Sequence, residues 1–558
     1  MKKYLFLFVI MAVLALICTA AFADDVSQPG AEKHLAGWYV SFNEEGHAVL
    51  NRGIISIRDG IISEIQPYQE NEDGVIYLAE DCVIFPGLID LHAHLTYHNI
   101  QLVDFQANVD APWDNRFQWR ASKENRMIED QKNVIISKWT EPYSTPDVLT
   151  GDLITYFLEL QTAVGGTTLF QNGSQLDGTW DQEDFIERVG LIRSTGKAEH
   201  LGADRPIKSL TQIFLPDAVI SADDPQSYLP PMDTSAWGIT YVKDRVTEKP
   251  WLEYILDSIS QKTEDAYLIH LAEGRAGNLR NGTDAYSRLE FETLKDALTK
   301  GVENGDFTVQ EVRDAHINLI HGCAIDLDSE EDYTFISEYG IGLHWSPVSN
   351  LLLYEDTPNF YDFLSDPALL IGIGSDWSPS GSKSVWDECK FAYNFAPVNA
   401  EDLLRASTLT PARMIKNENV GNIRQGGFAD FFILKGMDQA DLASAVDLFV
   451  TAEDSAVEGV VVGGTGIYGE RDLLESLGQG NYSQYAETPA ALGSKYFRIP
   501  DIFGETSLQQ LSDDYNAIIQ EAKADFSEIR TSEDNLYMKE IENLKDQFSV
   551  ATQSGSTN

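Results

Sequence analysis

The sequence predicts an α/β protein built on a parallel barrel, and three observations carry that reading. Between about Val83 and Met414, short apolar runs alternate with stretches of helical spacing, the pattern of repeated βα units on a parallel sheet. β-rich segments flank that region, around Gly53–Ile65 and again from Val420 to Thr465. Four of the middle runs end in a histidine or an aspartate. With 558 residues the chain exceeds a single core, which stops growing near ~250–300 residues, so two or three units are expected.

The first residues bear on the compartment. Lys2 and Lys3 precede an apolar run from Tyr4 to Ala20, and Ala21-Phe22-Ala23 supplies the small residues of a cleavage site, with the cut before Asp24. A retained membrane anchor is the alternative, but the run falls short of the ~20 apolar residues that span a bilayer comfortably. A lipoprotein signal at Cys18 is disfavoured by Ile17, which stands where a small residue is wanted. The reading is an exported protein, periplasmic or extracellular, without stable membrane insertion.

Next, Gly53–Arg58 and Ile61–Ile65 read as two strands around an Asp59-Gly60 hairpin turn. Val420–Asp430 running into Phe431–Leu434, and later Val457–Thr465, form a matching β unit. Seven barrel strands are marked: Gly87–Leu91, Thr167–Phe170, Ser209–Phe214, Ala266–His270, Ile317–His321, Ile341–Trp345 and Leu369–Ser375. An eighth is placed at Gly238–Val242. Ser507–Ile529 and Ser532–Phe548 have helical apolar spacing with acidic decoration. The expected organisation is a signal peptide over 1–23, the N-terminal part of a composite β-sandwich over 24–82, a (β/α)8 TIM barrel over 83–414, the C-terminal part of the sandwich over 415–471, and a helical extension ending in a disordered tail over 472–558.

The formal charge of −48 becomes −50 once Lys2 and Lys3 leave with the signal peptide. Such a surface repels nucleic acid and anionic lipid, leaves a small molecule as the expected partner, and is compatible with a homo-oligomer. It is read as a solubility device or an adaptation to salt. After cleavage Cys82, Cys323 and Cys389 remain, at spacings of no zinc knuckle or redox pair, and buried thiols are expected.

The chemistry is concentrated at strand ends. Residues two apart on a strand share a face, so His92 and His94 in Asp90-Leu-His-Ala-His94 can turn two imidazoles to one ion. Phe85-Pro-Gly-Leu-Ile89 places the pair at the C-terminal end of its strand, where barrel active sites sit. Tyr267-Leu-Ile-His270 leads into Leu-Ala-Glu273-Gly, Ile317-Asn-Leu-Ile-His321 into Gly-Cys-Ala, and Ile371-Gly-Ile-Gly-Ser-Asp376 into Trp-Ser-Pro-Ser-Gly-Ser. Each alone has a plain structural explanation, a buried histidine bonded to a carbonyl or a carboxylate at a helix start. Ten histidines in the whole chain make their coincidence at four strand ends a metal site.

Together these motifs resemble the amidohydrolase superfamily, in particular its branch of cytosine deaminases, chlorohydrolases and related aminohydrolases. The likeness runs from about Gly53 to Thr465 and includes Glu159–Thr168, Trp345-Ser-Pro-Val-Ser-Asn-Leu-Leu-Leu-Tyr354, Ala406–Arg413 and Ala429-Asp430. The resemblance implies that His92, His94, His270 and Asp376 hold one divalent ion with a water in its open position. Three imidazoles and a carboxylate suit zinc, or else iron, better than calcium or magnesium. It further implies that the ion acidifies this water, that Asp376 accepts its proton, that Glu273 delivers a proton to the leaving nitrogen, and that His321 orients the water or polarises the substrate. The implied reaction is hydrolysis of a non-peptide C–N bond, deamination of a cyclic amidine being the branch's best-known chemistry. Opening of an amide or cyclic amide is the alternative within that class; a catalytically silent binding scaffold and an exported structural protein lie outside it.

Many superfamily members bridge two metals with a carboxylated lysine at the fourth strand. Lys208 and Lys243 are near that position, neither in a family-like motif, so a mononuclear site is expected. His344 is balanced between substrate contact and core, as is Asn350 between site support and turn capping. The aromatics of Trp113-Asp-Asn-Arg-Phe-Gln-Trp119 form a pocket wall or pack their loop. His34, His47, His98, His200 and His316 are read as structural.

Overall fold

The computed structural model describes residues 32–100, 112–171, 182–203, 205–210, 212–216, 239–241, 249–478, 480–484 and 495–524. The expected signal peptide, Cys18, Lys243 and the helix expected at Ser532–Phe548 lie outside these residues.

Eight parallel strands among the described residues make the barrel wall: β1 (Leu88–Asp90), β2 (Thr167–Phe170), β3 (Arg193–Ser194), β4 (Ile207–Leu210), β5 (Ala266–Leu271), β6 (Ile317–His321), β7 (Gly342–Trp345) and β8 (Leu370–Ile373). They ladder as β3-β2-β1 and as β4-β5-β6-β7-β8. The seam between β8 and β1 closes just past their ends: Ala93 bridges Asp376, the Asp376 N–H donates to the His92 carbonyl at 2.7 Å, and the His94 N–H to the Asp376 carbonyl at 3.2 Å. Gly374 permits this approach, since a Cβ there would lie 2.6 Å from that of His92. Every residue of β1, β2, β5, β6 and β7 is buried, as parallel strands covered on both faces must be.

Two strand expectations change. The wall strand after β2 is Arg193–Ser194, too short to show an apolar run, whereas the region around Gly238–Val242 contributes Ile239–Tyr241, paired antiparallel with Phe214–Pro216 in a two-stranded sheet off the barrel ladder. The strand expected at Ser209–Phe214 runs instead over Ile207–Leu210.

The chain ends meet in one ten-stranded sheet. Its junction is Phe431–Lys435, antiparallel to Cys82–Pro86 with Phe431 opposite Pro86, so the strand that feeds β1 is laddered to the strand after the barrel. Asp59 and Gly60 turn the hairpin with φ of 51° and 77°, the positive values a two-residue turn of this hand needs. A two-pronged ion pair ties the barrel to this sheet, Arg193 Nε and Nη2 donating to Asp430 at 2.7 and 3.2 Å.

The helix Leu508–Ala524 lies against the helices Lys123–Ser137 and Thr150–Val164. Leu508, Leu511 and Ile519 are buried, Tyr515 stacks on Phe157 with ring centres 4.5 Å apart, and Tyr515 OH donates to Asn99 Oδ1 at 2.6 Å. No helix of the described residues is long and apolar enough to cross a membrane. Cys82, Cys323 and Cys389 are buried free thiols.

Candidate metal centre and active site

The strand ends gather the expected donors into one cluster. His92, His270 and His321 form one group with ligand atoms within 4.8 Å of one another, and His92, His94 and Asp376 a second that shares His92. His94 Nε2 lies 3.1 Å from His270 Nε2, and Asp376 Oδ1 lies 3.1 Å from His92 Nε2 and 3.5 Å from His94 Nε2. His321 Nε2 stands 3.6 Å from Glu273 Oε2 and 3.9 Å from Asp376 Oδ2. The structure thus brings together His92, His94, His270, His321, Asp376 and Glu273.

Backbone geometry turns these side chains inward. Ala272, His321 and Asp376 have φ of 55°, 70° and 60°, the left-handed region that costs a non-glycine residue roughly 1 kcal/mol or more. Strain at the ends of β5, β6 and β8 is therefore held in place by the surrounding fold. Ring orientation is fixed from behind. His92 Nδ1 meets Ser346 Oγ at 2.7 Å and His270 Nδ1 meets the Leu210 carbonyl at 3.4 Å, so both rings present Nε2 to the cluster.

The donor set fits a divalent cation. His92 Nε2 is buried with no hydrogen-bond partner, and two imidazole Nε2 atoms face each other at 3.1 Å, an arrangement of lone pairs that a shared cation would satisfy. Burial pushes His92 down to about 3 and His94 to about 4, and holds His270 and His321 well below the usual histidine range. All four rings are neutral, the form that binds metal. Side-chain exposure is 27% for His94 but only 0% for His92, 1% for His321 and 5% for Asp376, so the centre is reached past His94.

Glu273 sits beside this cluster in a nest of donors. Tyr354 OH donates to Oε1 at 2.6 Å, Trp119 Nε1 to the same oxygen at 3.3 Å, and Arg116 Nη1 lies 3.8 Å from Oε2. Burial raises its pKa, opposed by Arg116 and the Tyr354 bond and reinforced by the charge of Asp376. The loops that build the nest are laced together: Asn115 bridges Gly274, and Arg275 and Arg280 both reach Asp114, at 3.0 and 3.1 Å.

The remaining candidates separate. Lys208 turns away from the cluster, its Nζ 5.2 Å from the ring centre of Trp251. His344 is fully buried, Gly372 packs against its ring, and neither ring nitrogen has a hydrogen-bond partner among the described residues. Asn350 Nδ2 donates to Cys323 Sγ at 3.3 Å, bracing the turn after β6. Trp119 walls Glu273, its ring centre 4.9 Å from that of Trp377, while Trp113 packs with Ile128, Leu353 and Tyr354. None of His34, His47, His98, His200 or His316 joins the ligand groups among the described residues. Ser346, Tyr354 and Arg116 are the neighbours that sequence reasoning did not assign. The first two lie inside the Trp345–Tyr354 motif, which was their only signal.

Comparison with known proteins agrees with this geometry. Residues 249–466 match the model described as the amidohydrolase family, a span that contains His270, Glu273, His321 and Asp376 and begins after His92 and His94. An uncharacterized protein of Methanocaldococcus jannaschii is 29% identical over 169 residues, 30% of this chain and 39% of that one. A 5-methylthioadenosine/S-adenosylhomocysteine deaminase of Natronomonas pharaonis is 28% identical over 186 residues, 31% of this chain and 42% of that one. This chain therefore spans about two fifths of the length of the curated relatives it matches. Among solved structures, guanine deaminase from C. acetobutylicum with bound guanine aligns with TM-score 0.50 at 16% identity, covering 78% of this chain and 100% of that one. A mutant of atrazine chlorohydrolase from Arthrobacter aurescens TC1, complexed with zinc and atraton, aligns with TM-score 0.50 at 14% identity, covering 87% and 99%. These structural likenesses speak to the fold, a TIM barrel. The chain carries an amidohydrolase family domain over residues 249–466.

Proposed function

We propose that this protein is a metal-dependent hydrolase of a non-peptide C–N bond in a small molecule, deaminating a cyclic amidine. The observation that carries this reading is the convergence of His92, His94, His270 and Asp376 on one point beside Glu273 and His321. The first four would hold the ion, zinc as the first expectation and iron as the second. When bound, a divalent ion supplies Lewis acidity and lowers the pKa of a water from about 15.7 to around 7. Asp376, whose Oδ1 lies 3.1 Å from His92 Nε2, would serve as the acceptor of a proton from that water. Glu273, whose pKa burial raises, gives a proton to the nitrogen that leaves as ammonia. His321, between Glu273 and Asp376, orients the water against the substrate carbon. The outward course of Lys208 supports a single ion.

Export is part of the proposal and rests on the basic, apolar and small-residue pattern of 1–23. So is a composite β-sandwich from 24–82 and 415–471, supported by the strands that the two ends share in one sheet; the extension expected to be helical over 472–558 has the helix Leu508–Ala524 but also the strands Asn481–Gln484 and Tyr496–Ile499, which join that same sheet. The functional test is ammonia release from purines, pyrimidines and triazines by the metal-loaded protein. Release that stops in His270→Ala and Asp376→Ala is expected; hydrolysis of amides with no ammonia from any ring amidine would replace deamination by amide opening.

A further inference from the structure

The helix Ala285–Asn304 follows the loop after β5 and packs back on that strand, and its first turns reach the peptide groups between His270 and Glu273. The ladder from β5 to β6 ends with Leu271 opposite His321. The next N–H, that of Ala272, donates to Glu290 Oε2 at 2.9 Å. One residue on, Ser287 Oγ lies 3.2 Å from the Glu273 carbonyl, which also accepts from the Arg116 N–H at 3.3 Å. Gly274 closes the turn against the same helix, since a Cβ there would stand 2.5 Å from Ser287 Oγ.

Ala272 has a φ of 55°, so this stretch is held in the left-handed region that an alanine leaves when nothing opposes it. Relaxation to negative φ would redirect the chain between His270 and Glu273, which the turn brings to one cluster. Glu290 is 1% exposed, and its Oε1 has no hydrogen-bond partner among the described residues. Burial pushes its pKa up to about 7. A leucine would fill this position without that cost, because a buried carboxyl group with one oxygen unpaired is expensive. What the carboxyl group adds is an acceptor for the Ala272 N–H, and none of the ligand or proton-transfer roles assigned above uses it.

We propose that Glu290 is a positioning residue of the site: by accepting from the Ala272 N–H it locks the left-handed turn that aims His270 and Glu273 into one cluster. It acts through the backbone rather than by touching the reacting atoms. The roles of His270 and Glu273 rest on the hydrolase reading, whereas the locked turn does not. Strain at Ala272 is what makes the lock necessary, so residues 272 and 290 are coupled. With glycine at 272, which adopts positive φ freely, the same turn persists after the acceptor is gone.

Two variants of the full chain separate the acceptor from the charge: Glu290→Leu removes both and keeps the bulk, and Glu290→Gln keeps an acceptor oxygen. Zinc affinity, read by competition with a chelator, should fall about 10–100-fold in Glu290→Leu and be largely restored in Glu290→Gln. Hydrogen exchange on metal-free protein should show protection across 271–274 lost in the first variant and kept in the second. In an Ala272→Gly background the zinc-affinity loss from Glu290→Leu should shrink by about fivefold or more, a coupling that a merely space-filling residue would not show. Unchanged affinity and protection in Glu290→Leu, loss of either in Glu290→Gln, or a loss that Ala272→Gly leaves undiminished would overturn the proposal. If the leucine variant does not fold, Glu290→Gln decides, because it keeps the acceptor that the proposal requires. Protein that takes up no zinc at all fails the hydrolase reading instead, and the exchange measurement, made without metal, still decides whether Glu290 locks the turn.

Discussion

At the scale of single residues, the chemistry is carried by side chains whose neighbours fix them. The ligand-type residues were legible because strand periodicity and strand ends put them in register: His92 and His94 share a face, and His270, His321 and Asp376 each close or follow an apolar run. Their supports were not legible, because Ser346, Tyr354 and Arg116 reach the site from the start and end of the helix Pro347–Tyr354 and from the helix Arg116–Arg120, and only tertiary contact gives them meaning. The left-handed backbone at Ala272, His321 and Asp376 was equally hidden, since no side-chain type there announces it. Ser346→Ala removes the partner of His92 Nδ1 and frees the ring to turn; metal affinity should fall about 10–100-fold with the fold intact, as measured by competition with a chelator. Tyr354→Phe removes a hydrogen bond that stabilises the Glu273 carboxylate. The Glu273 pKa then rises, and the limb of the pH–rate profile that requires its protonated form moves to higher pH, with kcat/KM lowered by roughly tenfold. An unmoved limb would take Glu273 out of the proton path.

At the scale of elements, periodicity found the long strands and missed the short one. β5, β6 and β7 are fully buried and mainly apolar runs, whereas β3 is two residues, one of them an arginine committed to Asp430. The strand Ile239–Tyr241 has the composition of a wall strand and pairs elsewhere, which composition alone cannot decide. The helix at Leu508–Ala524 was legible from its apolar spacing, but its docking was not. Through Tyr515 it reaches Asn99, whose side-chain amide donates to the Thr96 carbonyl at 3.4 Å, two residues beyond His94. Leu511→Ala leaves a cavity against the barrel helices and should cost about 2–5 kcal/mol locally, while Gln510→Ala on the exposed side should change little. Hydrogen exchange reads the difference: protection should drop across 508–524 and 95–100 in the first variant and in neither segment in the second.

At the scale of the whole molecule, the acidity that marks the sequence reaches into the interior, where Asp90, Asp152, Glu159, Glu290, Asp332 and Glu388 are all buried. Glu388 is fully buried, accepts from the backbone N–H groups of Ser382 and Val348 at 3.0 and 3.1 Å, and is pushed by burial up to about 8 from 4.5. Between those values the folded chain keeps a proton that the unfolded chain has released, so stability falls as pH rises from 4.5 to 8. Glu388→Gln should flatten that decline by ~2–4 kcal/mol, seen in denaturant midpoints across the range; an unchanged slope would assign it to other groups. What the barrel and its closing sheet accomplish together is to bring six residues from four strand ends to one point, and that convergence is best tested by elemental analysis of the purified protein. One zinc or iron ion per chain is predicted, lost in both His270→Ala and Asp376→Ala while the fold is kept. A protein that binds no stoichiometric metal, or that retains its ion in both variants, would contradict the metal centre and the chemistry built on it.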